Sequence, residues 1–179
     1  MKLRRRFLWI SSLIFLVVQG LMGQGVTWQQ YFYVVNKIFP DSKEINVLLP
    51  QEEESAQKHA IARAATLFKM KVKIFLASDA RSIGSNFKLI PENSVVIIYN
   101  APLVNEKNTM LYILTQAKEK KLALITANRE YSDAGALVGL LRDETGHLRV
   151  YVNLKYSPGL AAKFTPEFNQ KIGVAQVLQ

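Results

Sequence analysis

Few residues in this 179-residue chain have the chemistry of a reaction centre, and those few are scattered. Cysteine is absent and there are two histidines, His59 and His147, so thiol nucleophiles and cysteine-ligated metals are excluded at once. A zinc site needs three or four converging ligands, and two histidines with no carboxylate pattern beside them do not supply the set. His59 falls in a helical stretch and His147 in a charged turn, where an imidazole is ordinarily solvated. The run Glu52, Glu53, Glu54 has the composition of a metal or acid–base group, yet acids at the start of a helix also complement its dipole, which is the simpler account. No G-x-S-x-G elbow, Walker loop or G-x-G-x-x-G turn occurs. Gly135 and Gly139 have G-x-x-x-G spacing, but they sit in a β-prone run outside any apolar span of about 20 residues, so a membrane-helix pairing motif is excluded. Tyr31, Phe32 and Tyr33 can stack on a planar ligand or pack as part of an amphipathic helix, and packing is the simpler role. The expectation is a chain without catalytic residues, cofactor or metal.

The elements around these residues follow from hydrophobic rhythm. Trp28 to Phe39 carries Tyr31, Val34, Val35 and Ile38 at helical spacing and stops before Pro40, which predicts a short helix. Ile45 to Leu49 is a brief apolar run closed by Pro50 and predicts a strand buried on both faces. Gln51 to Lys69 then opens with three glutamates, and Ala56, Ala60, Ile61, Ala64, Leu67 and Phe68 recur at three- and four-residue intervals, which predicts an amphipathic helix. Val72 to Leu76 is a second strand, followed by a less regular stretch from Ser78 to Ile90 with at most a helical turn. Val95 to Tyr99 is the most apolar strand and should be central. A helix from Asn105 to Lys120, with Met110, Leu111, Leu114 and Ala117 inward, leads to a fourth strand, Leu122 to Thr126. Ala136 to Leu141 and Leu148 to Leu154, joined by a charged connection containing Gly146, predict a β-hairpin. Pro166 fits the first turn of a final helix with Phe168, Ile172, Ala175 and Val177 along its buried side.

Strands alternating with helices at this spacing call for a mostly parallel sheet with helices on both faces. The fold class expected is therefore α/β, a single three-layer Rossmann-like domain over residues 26–179 with a C-terminal β-hairpin. In open parallel sheets, ligands bind outside the carboxyl ends of the strands near a topological switch point. That rule selects the loops after the four strands, and with them Gln51, Ser78 and Asp79, Asn100 and Pro102, and Asn128, Arg129 and Tyr131. Amides, hydroxyls, a carboxylate, a guanidinium and a ring suit a small polar organic molecule, with Arg129 able to grip a carboxylate by a two-pronged contact.

At the N-terminus, Lys2, Arg4, Arg5 and Arg6 precede an uncharged apolar run from Phe7 to Val18. This is the layout of a secretory signal over residues 1–25, with cleavage expected near Gly23 or Gly25 and an uncleaved anchor as the competing reading. No cysteine follows the apolar run, which excludes a lipoprotein anchor. Removing those four cations lowers the formal net charge from +9 to +5, and the remaining charges are interspersed, a pattern of solubility rather than of nucleic-acid binding. Without disulfides, stability must come from burial of apolar surface.

Three stretches, Phe39 to Pro50, Val95 to Leu140 and Arg149 to Glu167, resemble one lobe of the ABC-type periplasmic substrate-binding proteins of the tryptophan/tyrosine-uptake class. The resemblance implies a periplasmic-binding-protein-lobe-like fold and an exported, most simply periplasmic, non-catalytic protein that binds a small, amino-acid-like organic ligand. It marks Asn100, Pro102 and Arg129 as cleft-side positions. Those proteins close two lobes over their ligand, whereas this chain is long enough for one. The segment Gly135 to Leu154 also resembles the YfiR-type periplasmic regulators, whose usual cysteines are missing here; that resemblance implies instead a regulatory protein restraining a membrane-bound signalling partner. The partners expected are thus a small organic ligand, a membrane transporter or sensor, and a second copy in a homodimer, with no nucleic acid and no cofactor.

Overall fold

A computed structural model describes residues 25–178. The signal segment expected over residues 1–25 lies outside them except for Gly25. No helix among the described residues is long and apolar enough to cross a membrane.

Helix α1 (Trp28–Ile38) starts where the sequence supplies a capping box. The Gln30 amide donates to Thr27 Oγ1 at 3.4 Å, and the Thr27 amide donates to Gln30 Oε1 at 2.8 Å, which satisfies two of the otherwise unpaired N–H groups at a helix start. Its face of Tyr31, Phe32, Val34, Val35 and Ile38 is buried. Strand β1 (Glu44–Pro50) is buried from Ile45 onward because it is interior to the sheet, with β2 (Lys71–Ala77) on one side and β3 (Val95–Ile98) on the other. A 3-10 turn (Gln51–Glu53) then leads into α2 (Glu54–Phe68), so the three glutamates straddle the helix start. Only Ile61 and Ala64 of α2 are fully buried. Leu67 is 63% exposed, and Ala56 and Ala60 face solvent. Lys69 closes α2 in a left-handed conformation, φ 54°.

Beyond β2, the stretch Ser78 to Ile90 is more regular than its composition suggests. It forms a full helix, α3 (Ala80–Leu89), which buries Ile83 and Phe87. The Lys120 ammonium caps its C-terminal end, donating to the carbonyls of Phe87 at 2.7 Å and of Ile90, a favourable place for a cation. A short helix, α4 (Pro102–Asn105), precedes the helix expected from Asn105 to Lys120, which is α5 (Lys107–Glu119); Glu106 between them has a ψ of 133°, which is not helical. Met110, Ile113 and Ala117 point inward, whereas Leu111 is exposed.

The chain continues through β4 (Ala123–Thr126), α6 (Arg129–Ala134) and the hairpin β5 (Val138–Arg142) and β6 (Leu148–Asn153). After a second 3-10 segment (Pro158–Lys163), α7 (Pro166–Ile172) stops at Gly173, φ 72°. The final helix is therefore shorter than expected, and Ala175 and Val177 belong to a strand, β7 (Val174–Leu178). A residue with no Cβ enters this conformation readily, and it frees the chain to turn back to the sheet.

The sheet has the order β2-β1-β3-β4-β5-β6-β7. Neighbours run parallel except at the β5–β6 hairpin. Its first five strands have the 2-1-3-4-5 order, which places the topological switch point between β1 and β3. One face packs on α1, α2 and α7 through Ile45, Val47, Ile97, Ile125 and Val150. The other packs on α3 to α6 through Leu48, Val96, Ile98 and Leu124. Each fully buried Val, Leu or Ile of these strands contributes roughly 1.5–3 kcal/mol over its exposed state, which is what holds together a cysteine-free chain. The expected class, three layers around a mostly parallel sheet with a hairpin, is the fold observed.

Candidate ligand-binding site

Parallel pairing of β3, β4 and β5 brings their carboxyl ends to one edge, and there a cavity of about 480 Å³ opens to solvent. Each strand end contributes to it: Tyr99 and Asn100 follow β3, Ala127 and Arg129 follow β4, and Leu140 to Arg142 are the end of β5. Tyr151 enters from β6, where it pairs with Gly139. Tyr31 reaches the cavity from α1, and Gly25 and Val26 lie beside it.

Two guanidiniums and no acidic side chain line this space. Arg129 sits at the start of α6, with its guanidinium carbon 4.8 Å from the centre of the Tyr151 ring. Its Nε donates to both carboxylate oxygens of Asp133, at 3.0 and 3.1 Å. That carboxylate holds the Arg129 pKa above its ordinary value. Both bonds use Nε, so the terminal nitrogens are not consumed by Asp133. Arg142 donates to the carbonyls of Gly146 at 2.7 Å and Gly25 at 3.4 Å, which ties the hairpin turn to the segment before α1. Tyr31 is buried, and burial raises its phenol well above the usual range, so it stays neutral and offers a polar tip on an apolar ring.

Tyr99 forms one wall and is held from several directions. Trp28 stacks on it at 5.8 Å with the rings 14° apart. The Tyr99 hydroxyl donates to Glu53 Oε2 at 3.2 Å and accepts from Gln57 Nε2 at 3.1 Å, and Trp28 Nε1 donates to Gln57 Oε1 at 2.9 Å. Burial, followed by the nearby Glu53 charge, raises the Tyr99 pKa. This network joins α1, α2 and the end of β3 beside the switch point.

Of the residues selected from the sequence, Asn100 and Arg129 line the cavity. Asn100 Oδ1 accepts from Asn105 Nδ2 at 2.7 Å. The others lie elsewhere. Gln51 is exposed in the turn after β1. Ser78 and Asp79 follow the edge strand β2 and build the start of α3, Asp79 Oδ1 accepting from the Ser82 amide at 2.7 Å. Pro102 is exposed in the first turn of α4. Asn128 caps α6, its Oδ1 accepting from the Glu130 amide at 2.8 Å. Tyr131 is wholly buried among α4, α5 and the sheet, and its hydroxyl donates to the Val104 carbonyl at 2.5 Å. Tyr31, Tyr151, Leu140, Leu141 and Arg142 were not selected. The end of β5 is itself a parallel strand end, so Arg142 was reachable by the same rule; Tyr151 was not, because only the hairpin register carries it there.

His59 and His147 are both exposed and lie on separate elements. Among the described residues, no group of three or more His, Asp or Glu side chains is placed to hold a metal ion.

No family model matches the chain, and no curated protein matches it. Solved structures do. A conserved domain protein from Vibrio cholerae O1 biovar El Tor superimposes with a TM-score of 0.71 at 14% identity, covering 86% of this chain and 61% of that one. The ABC domain from Streptococcus pneumonia in complex with L-Trp gives 0.70 at 12% identity, covering 85% and 60%. A substrate-binding protein with adhesive properties from Clostridium difficile, in its ligand-free, open form, gives 0.67 at 16% identity, covering 86% and 60%. This chain spans about three-fifths of the length of these structures, and at such identities the likeness is one of fold. The resemblance to a lobe of ABC-type substrate-binding proteins holds at that level; none of the three is described as a YfiR-type regulator.

Proposed function

We propose that this chain is a non-catalytic binding lobe for a small organic molecule that carries a carboxylate on an apolar or aromatic body, and that it works outside the cytoplasm. The observation that carries this reading is the composition of the cavity at the ends of β3, β4 and β5. Its volume of about 480 Å³ falls within the range of roughly 300–1,000 Å³ usual for small-molecule sites. Arg129, whose Nε is paired with Asp133 outside the lining, and Arg142 supply guanidiniums to the cavity, and Tyr31, Tyr99, Tyr151 and Leu140 supply apolar and aromatic wall. A guanidinium fork matches a carboxylate in geometry as well as charge. That a structural neighbour is a complex with L-Trp is consistent with a ligand of this build. The lining itself holds no histidine and no acidic side chain, so the cavity offers groups for binding and none for general acid–base chemistry by those residue types. Export rests on the charged and apolar segments before Gly23, and delivery to a membrane transporter would follow from it.

A thermal-melt screen of the purified protein against amino acids and small carboxylates tests the reading. A ligand at 100 times its Kd adds about 2.7 kcal/mol to the folded state, which moves the melting temperature of a domain of this size by roughly 5–10 °C. Arg129→Gln should weaken that ligand about tenfold, as expected for loss of a charge-assisted bond at a partly exposed site. Absence of any shift at millimolar carboxylate refutes the proposal. N-terminal sequencing of protein from the periplasmic fraction tests export, with a new terminus near Gly23 or Gly25 expected.

A further inference from the structure

A second cavity also has Tyr99 in its lining. It has a volume of about 430 Å³, and Gln57, Ala60 and Arg63 of α2 line it together with Trp28 and Gln29 of α1. The two cavities share Tyr99, Gly25 and Val26. Tyr99 and the Gly25–Val26 segment therefore border both. The ring is a fixed post, since Trp28, Gln57 and Glu53 all hold it.

Charge repeats beside the post. No acidic side chain lines the second cavity. The nearest carboxylate in the network, Glu53, is engaged by Tyr99 and Gln57. Arg63 lines the cavity and is exposed, and it has no hydrogen bond, ion pair or ring contact with any described residue. Gln29 is exposed there as well, giving a neutral donor and acceptor beside the cation.

We infer that the Arg63 cavity is a second anionic subsite, and that the two cavities together take an elongated ligand with a carboxylate at each end, its middle passing Tyr99. This rests on the binding role proposed for the first cavity and adds the shape and charge of the ligand. Once one end is held at Arg129, the other reaches Arg63 as an intramolecular partner at high effective concentration, so the second contact adds affinity without a second association cost. The fit depends on length: a chain too short to pass Tyr99 engages one guanidinium only.

Titration calorimetry of the purified protein with straight-chain monocarboxylates and α,ω-dicarboxylates of stepped length separates this inference from the reading beneath it. Dicarboxylates should pass through an affinity maximum with length, about tenfold above the monocarboxylate of the same length. Arg63→Gln should bring that dicarboxylate down to the affinity of the monocarboxylate, and Arg63→Lys should recover part of the gain. Arg63 is exposed and makes no hydrogen bond, ion pair or ring contact with any described residue, so neither variant should change the melting temperature of the free protein. Monocarboxylates that bind while dicarboxylates gain nothing at any length overturn the second subsite and leave the first. Failure of both series overturns both.

Discussion

Replacing Gly139 by alanine places a methyl group where the fold has no room for one. A Cβ at this position of β5 would lie 2.1 Å from Ser132 Oγ, 2.9 Å from Ser132 Cβ and 3.6 Å from Tyr151 Cβ. Ser132 cannot swing into solvent: it is buried on α6, and its hydroxyl donates to the Asn128 carbonyl at 3.2 Å. The contact must be relieved by moving α6 off the sheet. Overpacking of this kind costs about 1–3 kcal/mol, against which a Gly-to-Ala change recovers about 0.4–1 kcal/mol through the unfolded chain. The net expectation is a loss of about 1–2 kcal/mol, a fall in melting temperature of roughly 3–8 °C. Because α6 carries Arg129, the shift should also weaken carboxylate binding. Urea denaturation of Gly139→Ala, Ser132→Gly and the double variant gives the decisive comparison. Ser132→Gly removes the obstructing side chain, so the double variant should be more stable than the sum of the single changes predicts. Strict additivity, or Gly139→Ala melting at or above the parent, refutes the claim that the Ser132 contact sets this position.

Two other positions give sharp expectations. Tyr131→Phe leaves the buried Val104 carbonyl without its donor and should cost about 1–2 kcal/mol in urea denaturation, with carboxylate affinity retained because that hydroxyl faces the core; loss of binding with intact stability would show the opposite. In the hairpin turn, Asp143 accepts from Thr145 Oγ1 at 2.6 Å, Arg149 Nε at 2.8 Å and the His147 amide at 2.9 Å. These bonds, Thr145 first and Arg149 next, hold its carboxyl well below the usual carboxylate range. A carboxyl lowered in the folded state contributes stability that is present above its unfolded pKa of about 3.9 and is lost as pH falls through the folded value. Melting temperature should therefore drop as pH is lowered from about 5 towards 2, and less steeply in Asp143→Asn; an unchanged acid slope in that variant would remove Asp143 as a source of it.

The strands were legible because interior parallel strands bury both faces and so read as unbroken apolar runs, as Ile45 to Leu49 and Val95 to Ile98 do. Helix α3 was obscured by Arg81, Ser82, Gly84, Ser85 and Asn86, which dilute its apolar side to Ile83 and Phe87. Its start was nonetheless written in Asp79 and Ser82, three residues apart, whose mutual bonds form a capping box. The last strand was hidden for a different reason. Ile172, Ala175 and Val177 mimic helical spacing, and Gly173 is the stop signal that outweighs them. For the cavity, the strand-end rule led to Asn100 and Arg129 because both directly follow a parallel strand. It passed over Tyr31 and Tyr151, which arrive from a packed helix and an antiparallel return, and no local pattern announces a residue placed by register. Ser78, Asp79 and Asn128 satisfied the rule in sequence but are occupied with starting helices.

Because β6 runs against β5, the connection between them projects at the same edge as the cavity, and Arg142 is tethered to that connection through Gly146. The Asp143 to His147 bend is exposed apart from the half-buried Asp143, and α1 to α6 all lie elsewhere in the chain. Residues spliced into this bend would reshape the mouth of the cavity while leaving both hydrophobic layers untouched, which makes it the natural graft point for retuning selectivity.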